Sequence, residues 1–506
     1  MAKKIILLVL LTVPAFALML RPGIYTMHDF HVFRQFEFDK CVVAKIFPCR
    51  WAPDAGRGYG EPLFNFYGQF PYWLGTIFRT LNFSVLGSVK ILFSLSLSLS
   101  AVSMFFLARR FWGDIGGVVS GLFYVYAPYR AVDVWVRGAL PEALAFVFYP
   151  LILLSIEKKK YIIFSLLLTV LLITHNLSLF MFLPFLGIWW LVRSRDWKFI
   201  PAGLLSLILG AFYLLPVIFE SHLVTLTQTT ADYYNYSLHW TTLKQLFISN
   251  FWGYGGSTWG PNDTLSFSAG HLHWLVALII IPVSLILKKP KTLIPYSLFL
   301  ILSLLALFLT HGKSEIFWKT IPGLPFVQFP WRFLSMSTLF LSLAAGAIVK
   351  FFSPKLTLLY SSTLLLLFNA DFFKPDTWKS MTDSQYFSGA NWDEMRSSAL
   401  SDYWPKTAPD LPTGFAPARP VRNEDSGIIS YPIVYFPGWT SLVDGKETPV
   451  YPSGPLGLVT LNLPPGNHNV RLVFKDTFIR TLSNILSGLT AIGIISWTFF
   501  QPKHAS

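Results

Sequence analysis

The chain has 506 residues, of which 53% are hydrophobic and only 13% are charged. A soluble globular protein has a similar apolar content but roughly 25% charged residues, so this composition excludes an ordinary soluble protein. The formal net charge is +14 at pH 7. Its lysines and arginines cluster in short loops between apolar runs rather than on one patch, which argues against a nucleic-acid-binding protein.

Long apolar runs recur along the chain, each close to the roughly 20 residues that a helix needs to cross a bilayer. Basic clusters fall at every second loop, the pattern of a multi-pass protein with basic cytoplasmic loops. The two signals predict an all-α polytopic protein of the plasma membrane with about twelve spans and both termini in the cytoplasm. The predicted helices are 5–20, 88–108, 114–128, 141–156, 161–174, 177–192, 199–219, 271–287, 291–310, 333–349, 356–370 and 481–500.

The first apolar run also has the form of a secretory signal, but no small-residue cleavage site follows it, which favours a retained helix. Residues 21–87 then form a long outer loop, within which 64–82 is apolar, aromatic and broken by a proline. We expect that piece to lie in the membrane interface. Cys41 and Cys49 fall in the same loop. In a loop outside the cytoplasm a disulfide between them is one alternative, and two unpaired thiols are the other.

The predicted domains follow this topology. Residues 1–370 form the transmembrane domain, 371–480 an extracytoplasmic domain, and 481–506 the last helix with a cytoplasmic tail. From residue 428 onward the outer segment alternates apolar and polar residues, and Asp444-Gly445 is a hairpin signal. This pattern predicts a small antiparallel β-sandwich with an acceptor-binding or structural role.

Most of the unusual polar residues fall on the predicted outer side. Any one of them is explained as a loop charge at a helix end, but together they indicate a shared cavity, because ionisable groups at membrane depth are costly and tend to mark sites. A carboxylate such as Asp29 suits the removal of a proton from an attacking hydroxyl. Arg137 and Arg332 suit bidentate binding of a phosphate, and His175 would add a hydrogen bond.

A cytoplasmic N-terminus, one helix and a long outer loop with an acidic residue just past that helix resemble the GT-C superfamily of membrane glycosyltransferases. Four pieces more narrowly resemble YfhO-like and "6-pyruvoyl-tetrahydropterin synthase-related" membrane proteins: H-D-F-H, R-W-A-P-D-A-G-R-G-Y-G-E-P-L-F-N-F-Y, V-R-G-A-L-P-E and Y-F-P-G-W-T-S-L-V-D-G-K. The resemblance implies a GT-C-like fold, a polyprenyl-phosphate sugar donor and a catalytic carboxylate at Asp29 paired with His28.

The candidate catalytic residues are therefore Asp29 and His28, and the candidate substrate-binding residues are His31, Arg34, Asp54, Arg137, Glu142, His175 and Arg332. The first loop contains no D-x-D sequence, so no metal ligand is assigned and a requirement for a divalent cation stays open. The W-W-D-x-G signature of oligosaccharyltransferases is also absent, which argues against protein N-glycosylation.

The predicted function is transfer of a sugar from a polyprenyl-phosphate donor to a saccharide, lipid or protein acceptor at the outer face of the bilayer. Two other classes stay open. One is a non-catalytic transporter or flippase of a lipid-linked saccharide, and the other is a membrane scaffold that binds envelope polymers.

Overall fold

The structure is a computed structural model, which describes residues 1–226, 229–258, 263–398, 403–423 and 427–500. The chain divides into two compact units. The first unit comprises residues 1–32, 73–203 and 229–382, and the second comprises 33–72, 204–228 and 383–506. The predicted domain boundaries at residues 370 and 480 follow changes in composition and stay predictions.

Apolar helices make up most of the first unit. Its helices of ten or more residues are Ala2–Thr12, Val85–Val125, Leu140–Glu157, Tyr161–Thr174, Asn176–Arg193, His271–Ile286, Leu293–Thr310, Leu334–Ala345 and Pro354–Asn369. The longest of them is interrupted at Gly113, whose φ of 76° lies in the left-handed region that glycine favours. This break falls at the loop predicted between the second and third spans.

Among the residues that the structure describes, six helical segments are long and apolar enough to cross a bilayer: Val85–Val125, Leu140–Glu157, Asn176–Arg193, Pro290–Thr310, Pro330–Lys350 and Phe478–Trp497. Phe199–Leu209 and Ala211–Leu223 add one more if this pair, bent by 73°, is a single span. The protein is therefore a multi-pass membrane protein. Helices also occur at the remaining predicted spans, but they are shorter, and the count of twelve stays a prediction.

Burial within these helices shows which faces meet lipid. In Leu293–Thr310, Phe299 and Leu302 are fully buried, whereas Ile301 and Leu304 are 59% and 62% exposed. Exposing such side chains to water would cost about 25 cal/mol per Å² of apolar surface. The exposed faces are therefore the ones that contact hydrocarbon.

The second unit contains helices and two antiparallel sheets. Its main helices are Ala211–Glu220, Gly389–Ser398 and Phe478–Phe500, and the helices Asp29–Val43, Phe70–Thr80 and Phe199–Leu209 include residues of both units. One sheet has the strand order Val421–Asn423, Ile428–Val434, Leu458–Asn462, Tyr451–Ser453, and the other Lys446–Thr448, Trp439–Val443, Val470–Phe474.

The two sheets share an apolar core, as a sandwich requires. Ile429 and Leu461 of the four-stranded sheet pack with Val443 and Val470 of the three-stranded sheet. Trp439–Val443 and Lys446–Thr448 form the predicted hairpin, in which Asp444 and Gly445 have φ values of 50° and 82°. The β-rich segment predicted from residue 428 is confirmed.

The part of the first loop in the second unit is held by covalent and ionic links. Cys41 and Cys49 form a disulfide, which decides between the two alternatives for these residues. Glu37 is fully buried, pairs with Lys40 at 2.6 Å and accepts a hydrogen bond from the Asp54 N–H at 2.9 Å. Burial raises the pKa of Glu37 from 4.5 to about 7.

This shift predicts a pH-dependent stability. Between pH 4.5 and about 7 the folded protein holds a proton on Glu37 that the unfolded chain has lost, so stability falls as the pH rises through this window. One pKa unit corresponds to about 1.4 kcal/mol, which gives a change of about 3 kcal/mol. Thermal unfolding in detergent should show this slope for the wild type and a flatter profile for Glu37→Gln. The exposed Glu394→Gln is the control, and equal slopes in all three proteins would contradict the prediction.

Candidate functional site

Asp29 is held in place within the first unit by a lysine from a distant segment. It is the first residue of the helix Asp29–Val43, where the helix dipole favours a carboxylate. Its side chain is 5% exposed and pairs with Lys379 Nζ at 3.1 Å. Lys379 belongs to the two-residue strand Trp378–Lys379, which pairs antiparallel with Ile24–Tyr25. This strand pairing therefore places the Lys379 ammonium group beside the Asp29 carboxylate.

The two histidines that flank Asp29 bind backbone carbonyls. His28 is fully buried, stacks on Phe93 at 3.8 Å and donates from Nε2 to the Val134 carbonyl at 2.9 Å. Burial lowers the pKa of His28 to about 3, so the ring is neutral at pH 7. His31 Nε2 lies 2.8 Å from the Gly138 carbonyl. These contacts suit positioning, while a catalytic role for His28 stays a prediction.

The histidines thus join the Asp29 turn to the segment that carries Arg137. A Cβ atom at Gly138 would lie 2.1 Å from the Met27 carbonyl oxygen, and its φ is +59°. Only glycine allows this approach. The preceding residues Val132–Val136 form a π-helical turn, a geometry frequent at functional sites.

Arg137 is paired with two buried carboxylates. Its Nη1 donates to Asp133 Oδ1 at 3.0 Å and to Glu142 Oε2 at 2.8 Å. Glu142 lies in the first turn of the helix Leu140–Glu157, and its other oxygen accepts a hydrogen bond from the Tyr129 hydroxyl at 2.6 Å. Both carboxylates are at most 1% exposed, whereas Arg137 is 16% exposed.

Arg332 and His175 approach the same carboxylate from other segments of the chain. Arg332 donates from Nη1 to the Val327 carbonyl at 3.0 Å and to Gln328 Oε1 at 3.3 Å, and its Nε lies 3.9 Å from Glu142 Oε2. His175 interacts electrostatically with Glu142 and with both arginines. Four of the predicted substrate-binding residues, Arg137, Glu142, His175 and Arg332, are therefore brought together.

A third arginine completes what we call the arginine cluster, which consists of Arg130, Asp133, Arg137, Glu142 and Arg332. Arg130 is fully buried over the Phe146 ring at 4.0 Å and lies 3.7 Å from Asp133 Oδ2. Three arginines against two carboxylates leave an excess of one positive charge. A buried charge is stable only when it is paired, so the cluster is suited to bind an anion.

A hydrogen-bonded chain fixes the aromatic ring beneath Arg137. Its guanidinium lies 4.8 Å from the Trp331 ring, and Trp331 Nε1 donates to Ser257 Oγ at 3.1 Å. Ser257 in turn contacts His239 Nδ1 at 2.6 Å, while His239 Nε2 lies 2.5 Å from the Tyr233 carbonyl. Since that carbonyl can only accept, Nε2 carries the proton and Nδ1 accepts from Ser257.

Arg34 and Asp54 belong to the second unit and make separate contacts there. Arg34 Nη1 donates to the Tyr67 hydroxyl at 3.0 Å, and the guanidinium lies 4.2 Å from that ring. Asp54 forms an ion pair with Lys40. Their roles in substrate binding stay predictions.

Sequence reasoning missed three residues of this region: Lys379, Tyr129 and Trp331. Trp331 precedes the predicted site residue Arg332 in F-P-W-R-F, and Tyr129 opens the segment Y-R-A-V-D-V-W-V-R, which ends at the predicted site residue Arg137. No predicted site residue lies close to Lys379 in the sequence. In the part of the chain that the structure describes, no group of three or more His, Cys, Asp or Glu side chains is placed to hold a metal ion.

Comparisons with known proteins find similar solved structures, of which three are described here. No family model matches this chain, and no curated protein matches it. The arabinofuranosyltransferase AftD from mycobacteria is 12% identical, with a TM-score of 0.46 over 77% of this chain and 28% of its own. ArnT from Cupriavidus metallidurans, bound to undecaprenyl phosphate, is 14% identical, with a TM-score of 0.40 over 72% and 62%.

The third is the oligosaccharyltransferase of Archaeoglobus fulgidus in complex with zinc and sulfate, which is 11% identical, with a TM-score of 0.35 over 83% of this chain and 58% of its own. This chain thus spans less than two thirds of the length of each of these proteins. Likenesses of this degree assign neither a family nor an activity, and the chemistry is argued from the residues.

Proposed function

We propose that this protein is an integral membrane glycosyltransferase that moves a sugar from a polyprenyl-phosphate donor to an acceptor at the outer face of the membrane. The observation that carries the proposal is the junction of two turns. His28 and His31 bind the carbonyls of Val134 and Gly138, so the turn with Asp29 is attached to the turn with Arg137. These two contacts therefore link the Asp29 carboxylate to the arginine cluster.

In the proposed reaction, Asp29 accepts the proton of an acceptor hydroxyl as its oxygen attacks the anomeric carbon of the donor sugar. A new carbon–oxygen bond forms to the acceptor. The bond between the anomeric carbon and the phosphate oxygen breaks, and the polyprenyl phosphate leaves with the bonding electrons. Lys379 orients the Asp29 carboxylate through their ion pair.

Arg137 and Arg332 stabilise the charge that develops on the departing phosphate. Arg332 is 11% exposed, and its Nε lies beyond hydrogen-bonding distance of Glu142 at 3.9 Å. That N–H is buried and has no hydrogen-bond partner among the described residues, so its capacity to donate a hydrogen bond is unused. Glu142 keeps Arg137 in position through the hydrogen bond between Arg137 Nη1 and Glu142 Oε2. The outer loops and the β-sandwich would select the acceptor.

Release of the carrier lipid tests this function. Purified protein in lipid nanodiscs is incubated with synthetic polyprenyl-phosphate hexoses and pentoses, and free polyprenyl phosphate is quantified with and without extracts of envelope saccharides. We expect enzyme-dependent release with at least one sugar, accompanied by a new glycoside. Movement of an intact lipid-linked sugar between leaflets of proteoliposomes, without release, would instead establish a flippase and overturn the proposal.

A further inference from the structure

An apolar groove runs between two helices of the first unit. It lies between His271–Ile286 and Pro354–Asn369 and has a volume of about 270 Å³. Its lining includes Phe123, Val276, Ile348, Leu356, Tyr360 and Leu364. From Leu356 to Leu364 the groove follows the helix for about 12 Å, at about 1.5 Å per residue.

A second cavity of about 470 Å³, which we call the chamber, adjoins the groove at one end and is lined by both apolar and polar side chains. Both cavities are lined by Leu272, and both lie along the same two helices. The polar residues that line the chamber are Ser249, Asn250, Ser266, Ser268, His271 and Asn369. None of the described residues that line it is a lysine, arginine, aspartate or glutamate.

The positions of the groove and the chamber along the two helices agree with the predicted membrane topology. The apolar groove extends toward Ser353 and Phe352, next to Lys350 and Lys355 on the predicted cytoplasmic side. The chamber lies at the other ends of the helices, where His271 begins one and Asn369 ends the other. An amphiphile in these cavities would have its chain in the hydrocarbon and its head at the outer face.

We propose that the groove and chamber bind a lipid whose head group is uncharged and rich in hydroxyl groups, the chemistry of a neutral glycolipid. Serine hydroxyls and asparagine amides both donate and accept hydrogen bonds, as sugar hydroxyls do. A phosphate head would find no lysine or arginine to pair with among the described residues that line the chamber. Binding at this site does not depend on the proposed transfer reaction.

The chamber and the arginine cluster lie on opposite sides of one short segment. Ser266 and Ser268 line the chamber, whereas Phe267 between them contacts Trp331 at 5.9 Å. Trp331 in turn packs on Arg137. The rings of Phe267 and Trp331 thus separate the uncharged chamber from the arginine cluster. A neutral head group and an anionic head group would therefore bind at different positions.

Paired photoaffinity probes test the assignment. One probe carries a glucoside and the other a phosphate on the same diazirine-bearing decyl chain, and each is cross-linked to the full-length protein in phosphatidylcholine nanodiscs. We expect saturable labelling of peptides from His271–Ile286 and Pro354–Asn369, at least tenfold stronger for the glucoside. Equal or stronger labelling by the phosphate probe, or labelling that does not saturate as for ordinary bilayer lipid, would overturn the proposal.

Substitutions in the helix Pro354–Asn369 and in the chamber test where the glucoside probe binds. Ser361→Trp fills the groove and should reduce glucoside labelling about tenfold, whereas Leu359→Trp on the exposed face of that helix should leave it unchanged. Asn250→Leu changes an exposed chamber residue without filling the groove, and it should lower glucoside labelling severalfold even if Ser361→Trp fails to fold. Wild-type labelling of both Asn250→Leu and a folded Ser361→Trp protein would contradict the site.

Discussion

Replacement of Asp29 by asparagine should reduce the turnover of sugar transfer by about 10²- to 10⁴-fold, the usual contribution of a general base. The amide keeps the size of the side chain but cannot take the proton of the acceptor hydroxyl. It also loses the charge that pairs with Lys379 at 3.1 Å. Turnover is measured as the release of polyprenyl phosphate under saturating donor, together with the midpoint of thermal unfolding.

Two further variants separate the loss of the base from other effects. Asp371→Asn removes a carboxylate that is 80% exposed in the same unit, and it should retain wild-type turnover. Lys379→Met leaves the Asp29 carboxylate without its counter-ion and should lower turnover less than Asp29→Asn does. An Asp29→Asn protein that unfolds at the wild-type temperature and transfers sugar at the wild-type rate would rule out Asp29 as the base.

The two arginines of the arginine cluster should respond differently to substitution. Arg137→Gln leaves Asp133 and Glu142 buried without their main partner and should cost about 3–5 kcal/mol of stability. Arg332→Gln removes a group 3.9 Å from Glu142, so stability should change less. Because we propose that its guanidinium binds the donor phosphate, the KM for donor should rise about tenfold or more.

The measurements are chemical unfolding in detergent and initial rates over a range of donor concentrations. Lys319→Gln is the matched control, because it breaks an exposed ion pair with Glu315, and exposed ion pairs contribute little to stability. If Arg332→Gln destabilises the protein as much as Arg137→Gln and leaves the KM for donor unchanged, Arg332 has a structural role only.

Two kinds of feature can be predicted well from this sequence. One depends only on neighbouring residues, and the other depends on which side of the membrane a residue is predicted to face. The hairpin at Asp444-Gly445 follows from two residues that tolerate a positive φ. The approach of Arg137, Glu142 and Arg332 follows from charge placed on one predicted side of the membrane, since buried charges must be paired. Neither inference needed the packing of the helices.

Other features depend on contacts that sequence does not contain. Lys379 reaches Asp29 because its strand pairs with residues about 350 positions earlier, and nothing near Lys379 marks it. His28 and His31 stood out beside an aspartate, yet what they contact is the backbone at Val134 and Gly138. A histidine that holds a carbonyl and one that moves a proton look the same in sequence.

The most direct measurement of the central claim is the position of a bound lipid phosphate. A cryo-EM structure of the protein in nanodiscs with a polyprenyl-phosphate sugar should show the phosphate within hydrogen-bonding distance of Arg137 and Arg332, with the anomeric carbon facing Asp29. Density for the phosphate away from both arginines, or in a path that crosses the membrane past them, would contradict the proposed glycosyltransferase.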